Sequence, residues 1–599
     1  MKFQEKLVSL RKLMQQDNID AVRIGTTDPH QSESVAAHWK AVQWFTDFTG
    51  SVGICVVTAK DAAFWTDSRY TSQAERELQG KPMELFTVAI PGVPTWQEWL
   101  MDHVEKGATL ALDGEVLSLA DYRSSSELLA LKDIKVSYTK NYVGMIWDDR
   151  PAIPKDPIFE HDVVYAGQNR QQKIEAVRAK MAEKGVDTYL ACSLDDIAWV
   201  TNLRGHDNPL YPFFHGYLLF TKERMTLCTD LNKFSPELAN KVKADGFTLR
   251  PSNDIFNLVK ELDANSMIYI DPFKTPLLLR KSFPSSVHVV EGMDFLAYMK
   301  SRKNDVEQEN VRISNIKESV ALCRYIMFIK NTVDKREITE YELGQAVETF
   351  RRMDPLYLQP GNLPIIASGK NAALPHYRPS ITNTCKVAPE GFVLFDLCAQ
   401  YYTGTTDITR TVQVGPLSEE MRKDYTLTLK SLIALSTQIF PFGITGPVLD
   451  GVSKAIQWNN YMHYGHGTGH GIGFLLNVHE GPCKIITEYS VMFPYGMTEP
   501  LNTGMLFSNE PGVYKPGRHG VRLENAILVQ EAVTNEFARF LKFETVTFCP
   551  FERDAIVVSM LNSQELKWLN NYHAMTYEKL SPYLNEEECK WLKERTQKL

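Results

Sequence analysis

The sequence predicts an α/β (α+β) protein of several domains, in which a duplicated α/β module precedes a third domain that mixes helices with β-hairpins. Three observations carry this. A chain of 599 residues exceeds what one hydrophobic core usually holds, at roughly 150 residues per domain. The order of motifs in the first 80 residues returns from residue 173 onward. From about residue 310, helical periodicity alternates with short β-favouring runs and turns.

Phe3, Leu7, Leu10 and Met14 fall at helical spacing, and IDAVRI (19–24) follows as a strand. The segment KIEAVRAKMAEKGVDTYLA (173–191) repeats that helix and strand, IAWVTNLRG (197–205) repeats VQWFTDFTG (42–50), and CTDLNKFSPELANKV repeats WTDSRYTSQAERELQ. The copies are 155 residues apart at Gly50/Gly205 and 163 apart at Asp67/Asp230, so they differ by loop insertions. A solenoid needs about three repeats to stack stably, so two copies read as a duplicated domain. WDDRPAIPKDPIFEHD (147–162), with three prolines and five acids, is the linker between them. A second boundary falls in the charged, apolar-poor YMKSRKNDVEQE (298–309), which gives domains at 1–155, 156–308 and 309–599.

Beyond that boundary Ile316, Val320, Cys323 and Met327 share one helical face, and Thr339 with Glu342 forms a capping box that opens the next helix. The tail from Ser563 to Thr596 is helical. Its Trp568, Leu569, Trp591 and Leu592 need burial, on this chain or on a partner subunit.

Charged residues make up 23% of the chain and the net charge is -8, with no basic stripe, which disfavours nucleic acid as a partner. The N-terminus has no apolar core of a signal peptide, and no 18-residue apolar run suits a bilayer, so no membrane partner is expected. Nine cysteines without CxxC spacing fit reduced thiols in a cytoplasm.

The stretch that organises the third domain is VLFDLCAQYYTGTTDITRT (393–411), where two β-favouring runs flank a turn at Gly404 and deliver Asp396 and Asp407. Two inward carboxylates about 4 Å apart repel by about 4 kcal/mol at an effective dielectric near 20, so such a pair calls for cations or protons. Downstream lies GHGTGHGIG with His466 and His470, whose alternating glycines exclude the helix of an HExxH zinc site and let a strand or loop approach a metal closely. His479 in VHEGP, Glu510 in NEPGVY, and Arg522 with Glu524 in GVRLEN follow. Singly, each has an ordinary reading as a core histidine or a turn. Together, four acids and a histidine match an oxygen-rich dinuclear site whose four negative charges two divalent cations balance. With cations about 3.5–4 Å apart, a bridging water yields hydroxide near neutral pH and a bound carbonyl is polarised.

These motifs, with LPHYRP around His376, FTGSVG, FWTDSRY and WVTNLRG in the first two domains and KWLNNYH in the tail, resemble the creatinase/aminopeptidase or pita-bread family over essentially the whole chain. That family includes methionine aminopeptidase, prolidase and aminopeptidase P. Within it the resemblance is to the long, three-domain, cytosolic Xaa-Pro aminopeptidases. It implies two creatinase-type N-terminal domains and a pita-bread catalytic domain, hydrolysis of the N-terminal residue from peptides with penultimate proline, and a homodimer. It also implies two divalent metal ions, usually Mn2+, with Zn2+ or Co2+ as substitutes. Asp396 would bind one ion, His470 and Glu510 the other, and Asp407 and Glu524 both. Glu510 would accept the proton of the attacking water, His376, His466 and His479 would surround the substrate, and Arg522 would stand beside the site.

Cys398 stands where the family pattern usually has Ser or Gly, and Asn509 where Asp or another residue is common; neither is read as a ligand. The segment 484–500 is longer than the pattern, either a change to the substrate pocket or an inert surface loop. The alternatives are a prolidase cleaving only Xaa-Pro dipeptides, which the duplicated N-terminal domain opposes, and a non-catalytic binding protein of the same fold, which the full ligand set opposes.

Overall fold

The computed structural model describes residues 1–67, 69–487 and 495–599; Ser68 of FWTDSRY and residues 488–494 of the long segment lie outside the described residues. The chain divides into two units, Met1–Glu160 with Asn169–Leu296, and His161–Gln168 with Ala297–Leu599.

The first unit shows the duplication as topology. Strands β1 (Ala21–Gly25), β2 (Ile54–Thr58), β3 (Ala62–Thr66), β4 (Glu84–Thr87), β5 (Thr109–Ala111) and β6 (Lys135–Ser137) form one sheet in the order β4-β3-β2-β1-β5-β6. Strands β7 (Thr188–Ala191), β8 (Gly216–Phe220), β9 (Met225–Thr229), β10 (Phe247–Arg250), β11 (Met267–Ile270) and β12 (His288–Glu291) form another in the order β10-β9-β8-β7-β11-β12. Each strand thus occupies the place of its counterpart. The mixed pairing repeats too, with β1–β2 and β7–β8 antiparallel and β1–β5 and β7–β11 parallel. The opening helix, Phe3–Gln16, buries the predicted Phe3, Leu7, Leu10 and Met14. The two sheets share a core in which Trp65, Trp99 and Leu110 join Leu190, Leu219 and Ile268. The linker is irregular over 150–158, and residues 161–168 belong to the second unit.

In the second unit the helix Asp305–Val333 starts at an Asn304 capping box. It is buried on more than the one predicted face. Val320 and Cys323 are buried, Ile316 and Met327 half-buried, and Val311, Leu322, Tyr325 and Ile329 fully buried, because neighbouring elements cover several sides. The helix Glu340–Arg351 opens at the expected Thr339–Glu342 capping box.

The aspartate-bearing stretch forms the predicted hairpin, β13 (Phe392–Tyr401) with β14 (Gly404–Gln413), in register from Phe392/Gln413 to Tyr401/Gly404. The loop is Tyr402–Thr403, and Gly404 opens the return strand with φ +137°, a conformation that favours glycine. A six-stranded sheet holds β15 (Gly469–Gly471), β16 (Leu506–Asn509) and β18 (Asn525–Thr534); β17 (His519–Arg522) pairs with Gly512–Lys515 in a separate ribbon. The tail helices Ser563–Leu580 and Glu586–Arg595 dock on this chain: Leu569, Tyr572 and Leu592 are fully buried, and Tyr572 Oη takes a 3.0 Å hydrogen bond from Arg410. Among the described residues no helix is long and apolar enough to cross a membrane.

Candidate active site

The hairpin register sets Cys398 opposite Asp407 and Asp396 opposite Thr409, so the two aspartates lie diagonally across the strand pair. Donor atoms of Asp396, Cys398 and Asp407 lie within 4.8 Å of one another, and so do those of Asp407, His470 and Glu524. Asp407 is common to both groups. Glu510 joins through His470, whose Nε2 lies 3.5 Å from Glu510 Oε1 and 3.4 Å from Asp407 Oδ2. All five predicted ligands therefore meet in one place.

Glycines make this approach possible. His470 sits on a strand, one of the two forms, strand or loop, that the alternating glycines allow. A Cβ at Gly469 would stand 2.0 Å from the Ser508 carbonyl oxygen, and one at Gly471 2.5 Å from that of Glu480. Carbonyl oxygens only accept, so the 2.9 Å contact of His470 Nδ1 with Gly471 O fixes Nδ1 as the donor and leaves a lone pair on Nε2. Burial holds this imidazole neutral by pushing its pKa down to about 4. Its lone pair thus faces oxygens of two carboxyl groups, Asp407 and Glu510. Acceptors facing acceptors in a buried site are unfavourable unless a proton or a cation stands among them, and four carboxylates with one imidazole suit divalent metal ions.

The carboxylates register the same crowding. Burial raises Asp396, Glu510 and Glu524, the last with further repulsion from Asp407, Glu510 and Asp396, and brings Asp407 up to about 6. Cys398 donates from Sγ to Asp407 Oδ1 at 3.0 Å, and burial keeps it a thiol by raising its pKa well above the usual value, so it acts as a hydrogen-bond donor to the cluster. Asn509 faces away, donating to Leu432 O and Ser436 Oγ.

Arg522 lies against the cluster and donates from Nη2 to Asp396 Oδ2 at 2.7 Å and from Nη1 to Tyr514 Oη at 2.9 Å. Tyr514 Oη also meets His466 Nε2 at 2.9 Å, while His466 Nδ1 donates to Gly467 O. Both ring nitrogens of His466 are thereby engaged, and burial pushes its pKa down to about 3. The His479 ring stands edge-on to His470, with centroids 4.3 Å apart. His376 is carried by the segment after Gly369–Ala373, a turn whose backbone at Ala372 leaves no room for a Cβ on Gly520 of β17.

Several contributors escaped the sequence reading. Thr409 Oγ1 donates to Glu524 Oε2 at 2.7 Å, and Asn362 Oδ1 accepts from the Cys398 N–H. Asp450 accepts from both the N–H and the hydroxyl of Thr468, whose own carbonyl takes the Glu510 N–H at 2.8 Å. Common residue types brought together over long separations leave no local pattern, although Thr409, Thr468 and Tyr514 lie inside the motifs quoted above.

Residues 309–531 match the metallopeptidase family M24, and 539–599 match the C-terminal region of that peptidase. The creatinase/prolidase N-terminal domain matches twice, over 6–141 and 149–307. A probable Xaa-Pro aminopeptidase P of Talaromyces marneffei is 35% identical over 99% of this chain and 92% of its own. The chain belongs to the Xaa-Pro aminopeptidase P family. Aminopeptidase P2 of Arabidopsis thaliana is 34% identical over 99% of this chain and 88% of its own. In structure, the X-prolyl aminopeptidase of Caenorhabditis elegans, described as a cytosolic enzyme with a di-nuclear active site, superposes with TM-score 0.94 and 29% identity over all of both chains. The Xaa-Pro dipeptidase of Bacillus anthracis shares the fold over 64% of this chain, with TM-score 0.50 and 23% identity. Family membership accounts for the pita-bread catalytic fold and its paired N-terminal domains.

Proposed function

We infer that the chain is a metal-dependent Xaa-Pro aminopeptidase, which hydrolyses the N-terminal residue from peptides with penultimate proline. The observation that carries this is the His470 lone pair facing Asp407 and Glu510, in a chain similar from end to end to aminopeptidases of that name. Two divalent ions fit the donor set, with Asp396 holding one, His470 and Glu510 the other, and Asp407 and Glu524 both. Asp407, common to both donor groups, supports its bridging place. An oxygen-rich set favours manganese over zinc or cobalt. Bound there, the ions would polarise the scissile carbonyl and ease removal of a proton from the attacking water.

The remaining work falls to the chain. Glu510 keeps 19% of its side chain exposed and Asp396 15%, against 5% for Asp407, so the site opens toward Glu510 and Asp396. That exposure supports Glu510 as the proton acceptor, with Ser508 Oγ at 3.3 Å orienting its Oε1. His479 and His376 are the candidates to donate to the developing oxyanion, a role of about 2.7–4 kcal/mol per donor in other enzymes. His466, with both nitrogens engaged, acts by orienting Tyr514, and Arg522 ties Tyr514 to Asp396.

A division at 1–155, 156–308 and 309–599 belongs to this reading, supported by the two six-stranded sheets of the first unit and by the separate second unit. A cytoplasmic location draws on the nematode relative's description as cytosolic. The homodimer rests on the family resemblance, and sedimentation velocity tests it. To test the activity, manganese-loaded protein is incubated with Gly-Pro, Arg-Pro-Pro and a matched peptide lacking penultimate proline, following release of the N-terminal residue. Cleavage of Arg-Pro-Pro but not of the control is expected. Cleavage of Gly-Pro alone identifies a prolidase, and no cleavage a binding protein.

A further inference from the structure

Glu340 is the first residue of the helix Glu340–Arg351, and its side chain is fully buried in the second unit. A buried carboxylate is costly unless well compensated. Here no cation lies within ion-pair reach among the described residues, and the compensation consists of hydrogen bonds. Oε1 accepts from the Ser368 N–H at 2.7 Å and its hydroxyl at 2.9 Å. Oε2 accepts from Tyr377 Oη at 2.7 Å and the Cys385 N–H at 3.0 Å, and Asn371 Nδ2 reaches both oxygens at 3.2 and 3.0 Å. The helix start adds backbone bonds, Glu340 N–H to Cys385 O and Tyr341 N–H to Thr384 Oγ1.

The donors to the Glu340 carboxylate, and the acceptors of the helix-start N–H groups, all come from one segment, 368–385. It begins at the end of the strand Ile365–Ser368, which pairs with β13 so that Ile365 is opposite Asp396. It continues through the turn that presses Ala372 onto Gly520, two residues before Arg522, and then carries His376 next to the anchored Tyr377.

We propose that Glu340 is a positioning residue for the reaction: its carboxylate fixes the segment 368–377 and thereby holds His376 toward the substrate. This rests on the reading of His376 as a substrate-side group. The chemistry calls for a carboxylate at 340. Each of its oxygens accepts a backbone N–H, which cannot reverse its role, so a glutamine in either orientation sets an NH2 group against one of them. The segment must then shift, and misplacement of about 1 Å near reacting groups costs as much as a hundredfold in rate.

The test uses the full-length, manganese-loaded chain with Arg-Pro-Pro, comparing Glu340→Gln, His376→Ala and the double variant, each with its metal content. Glu340→Gln should lower kcat/KM by roughly tenfold or more while metal content stays at the wild-type level. In the His376→Ala background it should change kcat/KM less than twofold, because the group it positions is gone. Tyr377→Phe removes one donor without adding a clash and should show the same dependence on His376 with a smaller loss, which keeps the question answerable if Glu340→Gln does not fold. An equal loss with and without His376, or metal lost in step with activity, overturns the inference. A silent His376→Ala overturns it together with that residue's role, whereas the aminopeptidase reading stands or falls on the wild-type rate with Arg-Pro-Pro.

Discussion

Protons and metal ions compete for Asp407, so the stability conferred by metal must depend on pH. Burial sets the Asp407 pKa at about 6 in the metal-free fold, against about 3.9 in an unfolded chain. A raised acid pKa means that the folded state binds more protons. Its contribution to stability is full below about pH 4 and is lost as pH rises through about 6. The buried histidines work in the other direction. His466 and His470, pushed down to about 3 and about 4, add stability as pH rises from those values through about 6.5. The pH slope of the chelated protein alone therefore mixes two opposed effects, and the informative quantity is the difference between loaded and chelated protein at each pH.

Between pH 7 and pH 5 the ionised fraction of Asp407 falls from about nine-tenths to about one-tenth, while His470 stays mostly neutral. Apparent metal affinity should drop about tenfold from this group alone. For one site at a hundredfold excess over the pH 7 Kd, the stabilisation is about 2.7 kcal/mol at pH 7 and about 1.4 kcal/mol at pH 5. Asp396 and Glu510, raised by burial in the same sense, widen the gap. Melting of chelated and manganese-loaded protein, at both pH values and matched ionic strength, measures it. If manganese gives no stabilisation at pH 7, or more at pH 5, the carboxylate cluster is not the metal site.

Asp407→Asn should abolish turnover and lower metal content, because the residue shared by both donor groups loses its charge; elemental analysis beside the peptide assay checks both. Two tightly held ions with near-normal activity would show that Asp407 is not a bridge. His479→Ala should lower kcat more than it weakens manganese binding measured by titration, whereas equal losses would place His479 among the ligands. Gly469→Ala puts a Cβ 2.0 Å from the Ser508 carbonyl, so it should displace His470 and weaken metal binding at least tenfold by the scale of other disturbed metal sites; unchanged affinity would mean that the strand yields without moving the ligand.

Much of this was legible because it is written in short-range pattern. The turn read at Gly404 between two β-favouring runs placed Asp396 and Asp407 on a hairpin, whose loop is Tyr402–Thr403, and the glycines around His470 excluded a helix. The repeated helix-and-strand order foretold two sheets of one topology. What the sequence hid depends on distance along the chain: Thr409 meets Glu524 across 115 residues and Arg522 meets Asp396 across 126. Glu340 lies in the first turn of a capped helix, where acids are common, and only the fold turns its side chain inward. The single apolar stripe assigned to the helix Asp305–Val333 fell short for a related reason, since periodicity within one helix does not reveal how many neighbours will cover it.

The central claim is that two metal ions sit among Asp396, Asp407, His470, Glu510 and Glu524. Anomalous diffraction from crystals of the manganese-loaded protein tests it most directly. The account predicts two anomalous peaks about 3.5–4 Å apart, with Asp407 and Glu524 touching both, Asp396 one, and His470 with Glu510 the other. A single peak, or peaks held by other residues, would contradict it.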